Sequence, residues 1–220
     1  SWMPDSKGFY FKYLVPTKPV LAKSKIDQGG INYVSPNASG DDDEAPSLLK
    51  AQNKILFHTK IGASYQIATI EQNGLNFTLL GTGFYPYPHP TANKFLFSKW
   101  VGNYIQIFSY DLVTGQQTQL TNGDFNYHRP RYSPDGKWIV FNKSTRKEDL
   151  KAKEVPSSHI FLMNSGGGNV RQLTTGNTWN ETPEFGIDGY IYFSSNAGNT
   201  DKYRKFDNYD IWRLKPNLSE

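Results

Sequence analysis

Five times along its 220 residues the chain repeats one phrase, a short polar turn running straight into an apolar segment that ends in Phe. Taking Phe141 as anchor, Pro134 to Phe141 reads PDGKWIVF. Pro4 to Phe11 (PDSKGFYF), Lys50 to Phe57 (KAQNKILF) and Pro90 to Phe97 (PTANKFLF) align with it without a gap, and Ile187 to Phe193 aligns with one turn residue missing. A proline precedes the anchor by 11 residues in three copies (Pro46, Pro86, Pro130) and by 10 in a fourth (Pro183). Beyond the anchor, Ile67, Ile107 and Ile160 are each followed 13 residues later by Leu80, Leu120 and Leu173, and 16 residues later by Gly83, Gly123 and Gly176. Anchor spacings of 40 to 52 residues match the period of a four-stranded propeller blade, so the repeat constrains the fold more than any other feature.

Each unit reads as strand a around the proline, a tight turn, an apolar strand b, a variable loop, strand c and strand d. Strand c is expected to open at Ile67, Ile107 or Ile160. In the first copy, strand a lies around Trp2, and VLAKSKIDQGGINYVSPN supplies strands c and d. Strand b is apolar on both faces, as in Ile139, Val140 and Phe141, which suits a strand held between two neighbouring sheets. On strand a, Leu48, Pro88, Tyr132 and Phe185 are placed to pack between blades. The alternate row, Ser47, Tyr87, Arg131 and Glu184, then faces the other way. The units run approximately over residues 1–43, 44–83, 84–127, 128–180 and 181–220 of a single domain.

SPDGKWIVF, QLTTG and YDIWRLKP together resemble the TolB-like propeller family, with its WD40-like Pro-Asp repeat. The resemblance covers nearly the whole chain. It implies an all-β propeller of four-stranded antiparallel blades, usually six. The five repeats here, with strand a cut short in the first and strand d missing from the last, fit a six-bladed ring lacking a part or a five-bladed assembly. The family includes protein-binding platforms, non-catalytic domains of peptidases and metal-using lyases, so the resemblance fixes fold more tightly than function.

Composition narrows the rest. The absence of cysteine excludes thiol nucleophiles, zinc–thiolate sites and disulfides, and fits a protein exported by a bacterium into the periplasm or beyond. No apolar run of membrane-spanning length occurs, and a lipid anchor upstream stays open. The net charge of +4 is spread out. Its one loose basic cluster, Lys143, Arg146, Lys147, Lys151 and Lys153, is mixed with Glu148, Asp149 and Glu154, which reads as a solvated loop rather than a nucleic-acid surface.

No catalytic constellation emerges. Asp135, Asp5 and Asp188 recur in the turn of several copies, which marks turn formers rather than a nucleophile or base. SGGGN (Ser165 to Asn169) lacks a following helix and reads as a hairpin turn. The acidic run Asp41 to Glu44 lacks the spacing of a calcium loop. The four histidines, His58, His89, His128 and His159, fall at four different repeat positions, so no metal site and no cofactor is expected. What does not repeat is the best clue to function: Glu44, His128 and Glu181 two residues before or flanking the repeat proline, Arg129 beside it, and Tyr87, Arg131 and Glu184 just after it. These seven residues form a candidate ligand-binding set at a channel mouth. Two inserts, Ser144 to Ser158 and Asn196 to Asn208, add length to the b–c loops and suit contacts with a partner. The expected role is a non-catalytic scaffold for a protein or peptide. The alternatives are a metal-dependent, carbohydrate-active lyase-like propeller and the propeller domain of a larger peptidase.

Overall fold

A computed structural model describes residues 3, 5–15, 19–35, 42–145, 157–198 and 209–218. Its strands are β1 (Gly8–Leu14), β2 (Pro19–Lys25), β3 (Gly29–Tyr33), β4 (Asp43–Leu49), β5 (Lys54–Ile61), β6 (Ser64–Glu71), β7 (Thr78–Thr82), β8 (Phe84–Pro88), β9 (Lys94–Val101), β10 (Tyr104–Asp111), β11 (Gln117–Gln119), β12 (Asn126–Tyr132), β13 (Trp138–Ser144), β14 (Ser158–Asn164), β15 (Arg171–Gln172), β16 (Asn180–Phe185), β17 (Ile191–Ser195) and β18 (Asp210–Leu214). They form five sheets, each ordered as in the sequence: β1–β3, β4–β7, β8–β11, β12–β15 and β16–β18. The fold is an all-β propeller of five blades.

Two blades have three strands among the described residues. The first lacks strand a, whose expected place around Trp2 lies outside the described residues, and the last lacks strand d. Most of both b–c inserts also lies outside them. Ile67, Ile107 and Ile160 do not open their strands as expected. They sit inside β6, β10 and β14, because pairing with strand b continues two or three residues further back.

The 13-residue spacing has a direct cause. It is the register of the antiparallel c–d hairpin: Leu120 N–H donates to the Ile107 carbonyl at 2.8 Å and Leu173 N–H to the Ile160 carbonyl at 2.8 Å. The following Thr then accepts the N–H of that same strand-c residue, Thr121 Oγ1 from Ile107 and Thr174 Oγ1 from Ile160, both at 2.9 Å. In the first blade Val34 and Ser35 do the same for Leu21. A hydroxyl here satisfies a buried strand N–H at the point where the d strand ends, which is why Leu-Thr recurs.

The Pro-Asp turn is also explicit. Asp135 Oδ1 accepts the Lys137 N–H at 3.1 Å and the Ser133 hydroxyl at 2.5 Å, while Gly136 takes a φ of 72°. Asp5 and Asp188 accept the backbone N–H two residues on, from Lys7 and Tyr190.

The chain divides into two compact units, residues 1–99 with 110–117 and residues 100–109 with 118–220. In the first unit, Tyr10, Leu21, Val34, Leu48, Ile55, Phe57, Ala68 and Ile70 form one buried cluster. In the second, Trp138, Val140, Ile160, Leu162, Ile191 and Phe193 form another. Both clusters obey one rule. The residue before the anchor Phe (Tyr10, Val140) points forward and meets the anchor row of the next blade (Ile55 and Phe57, Ile191 and Phe193). The apolar segment is therefore buried from both sides, each anchor contributing about 2–3 kcal/mol.

Candidate functional site

Strand a carries the seven residues singled out in the sequence, and its geometry departs from a regular strand in the same way in four blades. Glu44 pairs with His58 and Ser47 with Leu56, so Ala45 and Pro46 together stand opposite the anchor Phe57. Tyr85 and Pro86 stand opposite Phe97, Arg129 and Pro130 opposite Phe141, and Thr182 and Pro183 opposite Phe193. These are β-bulges, and the extra residue is the repeat proline, which has no N–H to lose from the ladder. The residue before it is left-handed each time, with φ of 51° at Ala45, 51° at Tyr85, 49° at Arg129 and 52° at Thr182. A pre-proline residue ordinarily prefers extended backbone, and none of the four is glycine.

The bulge changes which side chains share a face. Residues three apart on a regular strand point oppositely. Here Glu44 and Ser47 pair with His58 and Leu56, which are two apart on one face of β5, so both lie on that face. The same holds for His128 with Arg131 and for Glu181 with Glu184. The residue two before the repeat proline and the residue just after it thus share one surface within each of these blades.

In the first unit this surface carries a cluster of charged groups. Lys12 of β1 contacts both Asp42 and Glu44, its ammonium 3.2 Å from Asp42 Oδ1. Burial opposes the Lys12 charge, but hydrogen bonds and attraction from Glu44 and Asp42 outweigh it and raise the pKa. His58, almost fully buried, accepts the Tyr85 N–H on Nδ1 at 3.3 Å, which places the neutral ring's proton on Nε2. That nitrogen lies 3.8 Å from Glu44 Oε2. The rings of Tyr65 and Tyr85 stand edge-on to His58 at 5.4 and 5.1 Å. Burial, then Asp42 and Glu44, raise the Tyr65 pKa. Of this group only Glu44 belongs to the predicted set. Lys12, His58, Ser98, Asn142 and Ser194 occupy one repeat position, just after the anchor, and a polar residue there in every copy was the available signal. Tyr87 lies on β8 opposite Leu96.

In the second unit, Arg131 and Glu184 come together across two blades, Arg131 Nε donating to Glu184 Oε2 at 3.0 Å, with Arg131 Nη1 held on the Pro130 carbonyl at 3.1 Å. His128, three residues before Arg131, is held neutral: burial and then the Arg129 charge push its pKa down to about 4. Glu181 lends its carbonyl to the Ser194 hydroxyl at 3.1 Å, and its charge, after burial, raises the pKa of Tyr209. His159 sits apart, close to Asn180 and Thr174, its pKa lowered by burial. His89 caps its own turn, accepting N–H groups from Thr91 and Ala92 on Nδ1. Asn164 Oδ1 accepts from Gly166 and Gly168, making SGGGN a turn. Among the described residues no group of three or more His, Asp or Glu side chains is arranged to hold a metal ion, and no helix is long and apolar enough to cross a membrane.

No family model matches the chain. An uncharacterized protein of Agrobacterium fabrum is 28% identical over 120 residues, covering 54% of this chain and 38% of that protein, so the chain spans well under half the length of that relative. A putative TolB from Agrobacterium tumefaciens superposes with a TM-score of 0.77 at 18% identity, over 97% of this chain and 75% of that one. TolB from Acinetobacter baumannii gives 0.71 at 18%, over 96% and 50%. A manganese-bound oligogalacturonate lyase gives 0.66 at 12%, over 98% and 61%. Repeat, blade order and superposition agree that the chain has the fold of a TolB-like β-propeller.

Proposed function

We propose that the chain is a non-catalytic binding scaffold, exported by a bacterium, that recognises a protein or peptide through the bulged faces of its a strands. One observation carries the reading: the same strained bulge recurs in four blades while the side chains it presents differ in each, with Glu44, Tyr87, His128 with Arg131, and Glu181 with Glu184. A repeated frame holding unlike polar groups suits recognition more than catalysis. In the Arg131–Glu184 pair the glutamate is half-exposed, and pairs open to water on one side stabilise a fold by about 1 kcal/mol or less, so stability alone is a weak reason for it. The likeness to TolB supports an exported, periplasmic setting.

The test is a displayed peptide library selected on the purified chain, with the winning peptides re-measured on Glu44→Gln, Arg131→Gln and Glu184→Gln. Binding that falls at least tenfold in one or more of these variants supports the reading; peptides indifferent to all three overturn it. The likeness to a manganese-bound lyase favours a second reading, a divalent cation near these strands. A thermal shift with manganese that His128→Asn or Glu181→Gln removes would support it, and an unchanged melting temperature would count against it.

A further inference from the structure

By its sequence Lys143 belongs to a loose basic cluster that reads as a solvated loop, yet it stands inside β13, one residue from its end. Its side chain is partly buried against aromatic rings. The ammonium lies 3.6 Å from the ring centroid of Phe125, 5.3 Å from that of Phe161 and 5.6 Å from that of Tyr127. All four residues belong to the second compact unit. Three rings thus surround one point, within the roughly 6 Å over which a ring face attracts a cation. Burial lowers the Lys143 pKa, so an ammonium here is partly stripped of water.

The blade itself does not require these rings. Tyr127 faces Lys143 across the a–b ladder, where the second blade has Asp43 opposite Thr59 and the last has Asn180 opposite Ser195. Phe161 stands opposite the anchor Phe141, where the first two blades have alanine, Ala22 opposite Phe11 and Ala68 opposite Phe57. Phe125 lies five residues before the repeat proline, a place held by Gly81 and Thr178 in two other copies. The walls are fixed in advance. Tyr127 and Phe161 both rest on the buried anchor Phe141, with centroids 6.0 and 5.8 Å from it. The Tyr127 hydroxyl donates to the Asn122 carbonyl at 3.0 Å. The segment carrying Phe125 is tied down by Gln106 Nε2, which donates to the Gly123 and Phe125 carbonyls at 2.9 and 3.3 Å. Asn126 Oδ1 holds the same segment by accepting the Ile105 N–H at 2.9 Å. Lys143 is held differently. It has a flexible four-carbon stem, and among the described residues its ammonium meets ring faces and no ion-pair partner.

We propose that Phe125, Tyr127 and Phe161 form a binding cage for a quaternary ammonium group, and that Lys143 is a resident which such a ligand displaces. The chemistry of the walls selects the ligand class. A primary ammonium brings three N–H donors, which ring faces satisfy poorly. A trimethylammonium group carries the same charge with no donor to satisfy, and its methyl groups pack on the rings. It gains the attraction that holds Lys143 and leaves no hydrogen bond unmade.

The test is calorimetric titration of the purified chain with choline, against the uncharged analogue in which a tert-butyl group replaces trimethylammonium. The wild type is expected to bind choline saturably and about tenfold more tightly than the analogue, because ring faces attract only the charged one. Lys143→Ala empties the cage and removes a like charge, so choline should bind about tenfold more tightly than to the wild type. In that background Phe125→Ala removes the nearest wall and should weaken choline binding about tenfold, while Phe125→Trp should keep it. Phe125 is 37% exposed, so both variants should keep the cooperative melting of their parent. Titration with an acetylated trimethyl-lysine amide distinguishes a group carried on a polypeptide from a free one, the tighter ligand naming the source. No saturable binding to the wild type overturns the proposal. So does equal affinity for choline and its tert-butyl analogue, or an affinity that either Lys143→Ala or Phe125→Ala leaves unchanged.

Discussion

Replacing His128 with Asn should flatten the dependence of stability on pH between neutrality and about pH 4. Burial and the neighbouring Arg129 charge hold the native pKa of His128 at about 4, against an ordinary value of 6.5. Because the native pKa is the lower, the unfolded chain binds more protons throughout this window, and stability falls as pH falls. The contribution is fully present above the unfolded value and is lost as pH drops toward the native one. The gap of about 2.5 units corresponds to about 3 kcal/mol at 1.36 kcal/mol per unit, of which about 2 kcal/mol is gone by pH 5. Urea unfolding at half-unit steps from pH 7.5 to 4 measures it directly. The wild type should lose stability across the range, and the difference from His128→Asn should follow that curve, whatever offset the substitution brings at pH 7. Asp111, Asp135 and Asp188 have lowered pKa values and titrate below this window, so they cancel between the two proteins. Parallel curves for wild type and variant would refute the burial argument and, with it, the neutral state assigned to His128.

Three further outcomes are expected. Thr121→Val should destabilise by about 1–3 kcal/mol in denaturant titrations, because the buried Ile107 N–H and the Gln106 side chain each lose a partner, while Thr121→Ser should recover most of that. Thr182→Gly should stabilise by roughly 0.5–1 kcal/mol, since relief of a β-branched residue at positive φ exceeds the entropy that glycine returns to the unfolded chain; a loss would mean that the bulge is not strained. A double-mutant cycle on Arg131 and Glu184 should give a coupling of about 1 kcal/mol or less that shrinks with added salt.

The repeat made the blades legible because each strand answers to its own turn and its own register. The 13-residue step from Ile107 to Leu120 is a hairpin, and hairpins are written locally. The Pro-Asp turn is equally local, and Asp135 bonds within its own turn. The bulge was not legible, because the rule for a residue before proline points to extended backbone, and only pairing against the anchor Phe overrides it in Ala45, Tyr85, Arg129 and Thr182. That one override is why Glu44 and Ser47, or His128 and Arg131, share a face although they stand three residues apart. The Lys12, Asp42, Glu44 and His58 group was missed for another reason. Its Lys12 reaches Asp42 and Glu44, 30 and 32 residues further on in the next blade, and nothing in a single copy of the repeat says which blade its polar residue will reach.

The bulge also has a consequence for how such a protein can change. Its shape is carried by backbone and by the proline that follows, and Ala, Tyr, Arg and Thr all occupy the left-handed position. A position that accepts a methyl, a phenol, a guanidinium and a secondary alcohol without altering the strand around it can be rewritten one residue at a time. The scaffold therefore offers a small alphabet of independently editable letters, so that new specificities can be reached without re-solving the problem of folding.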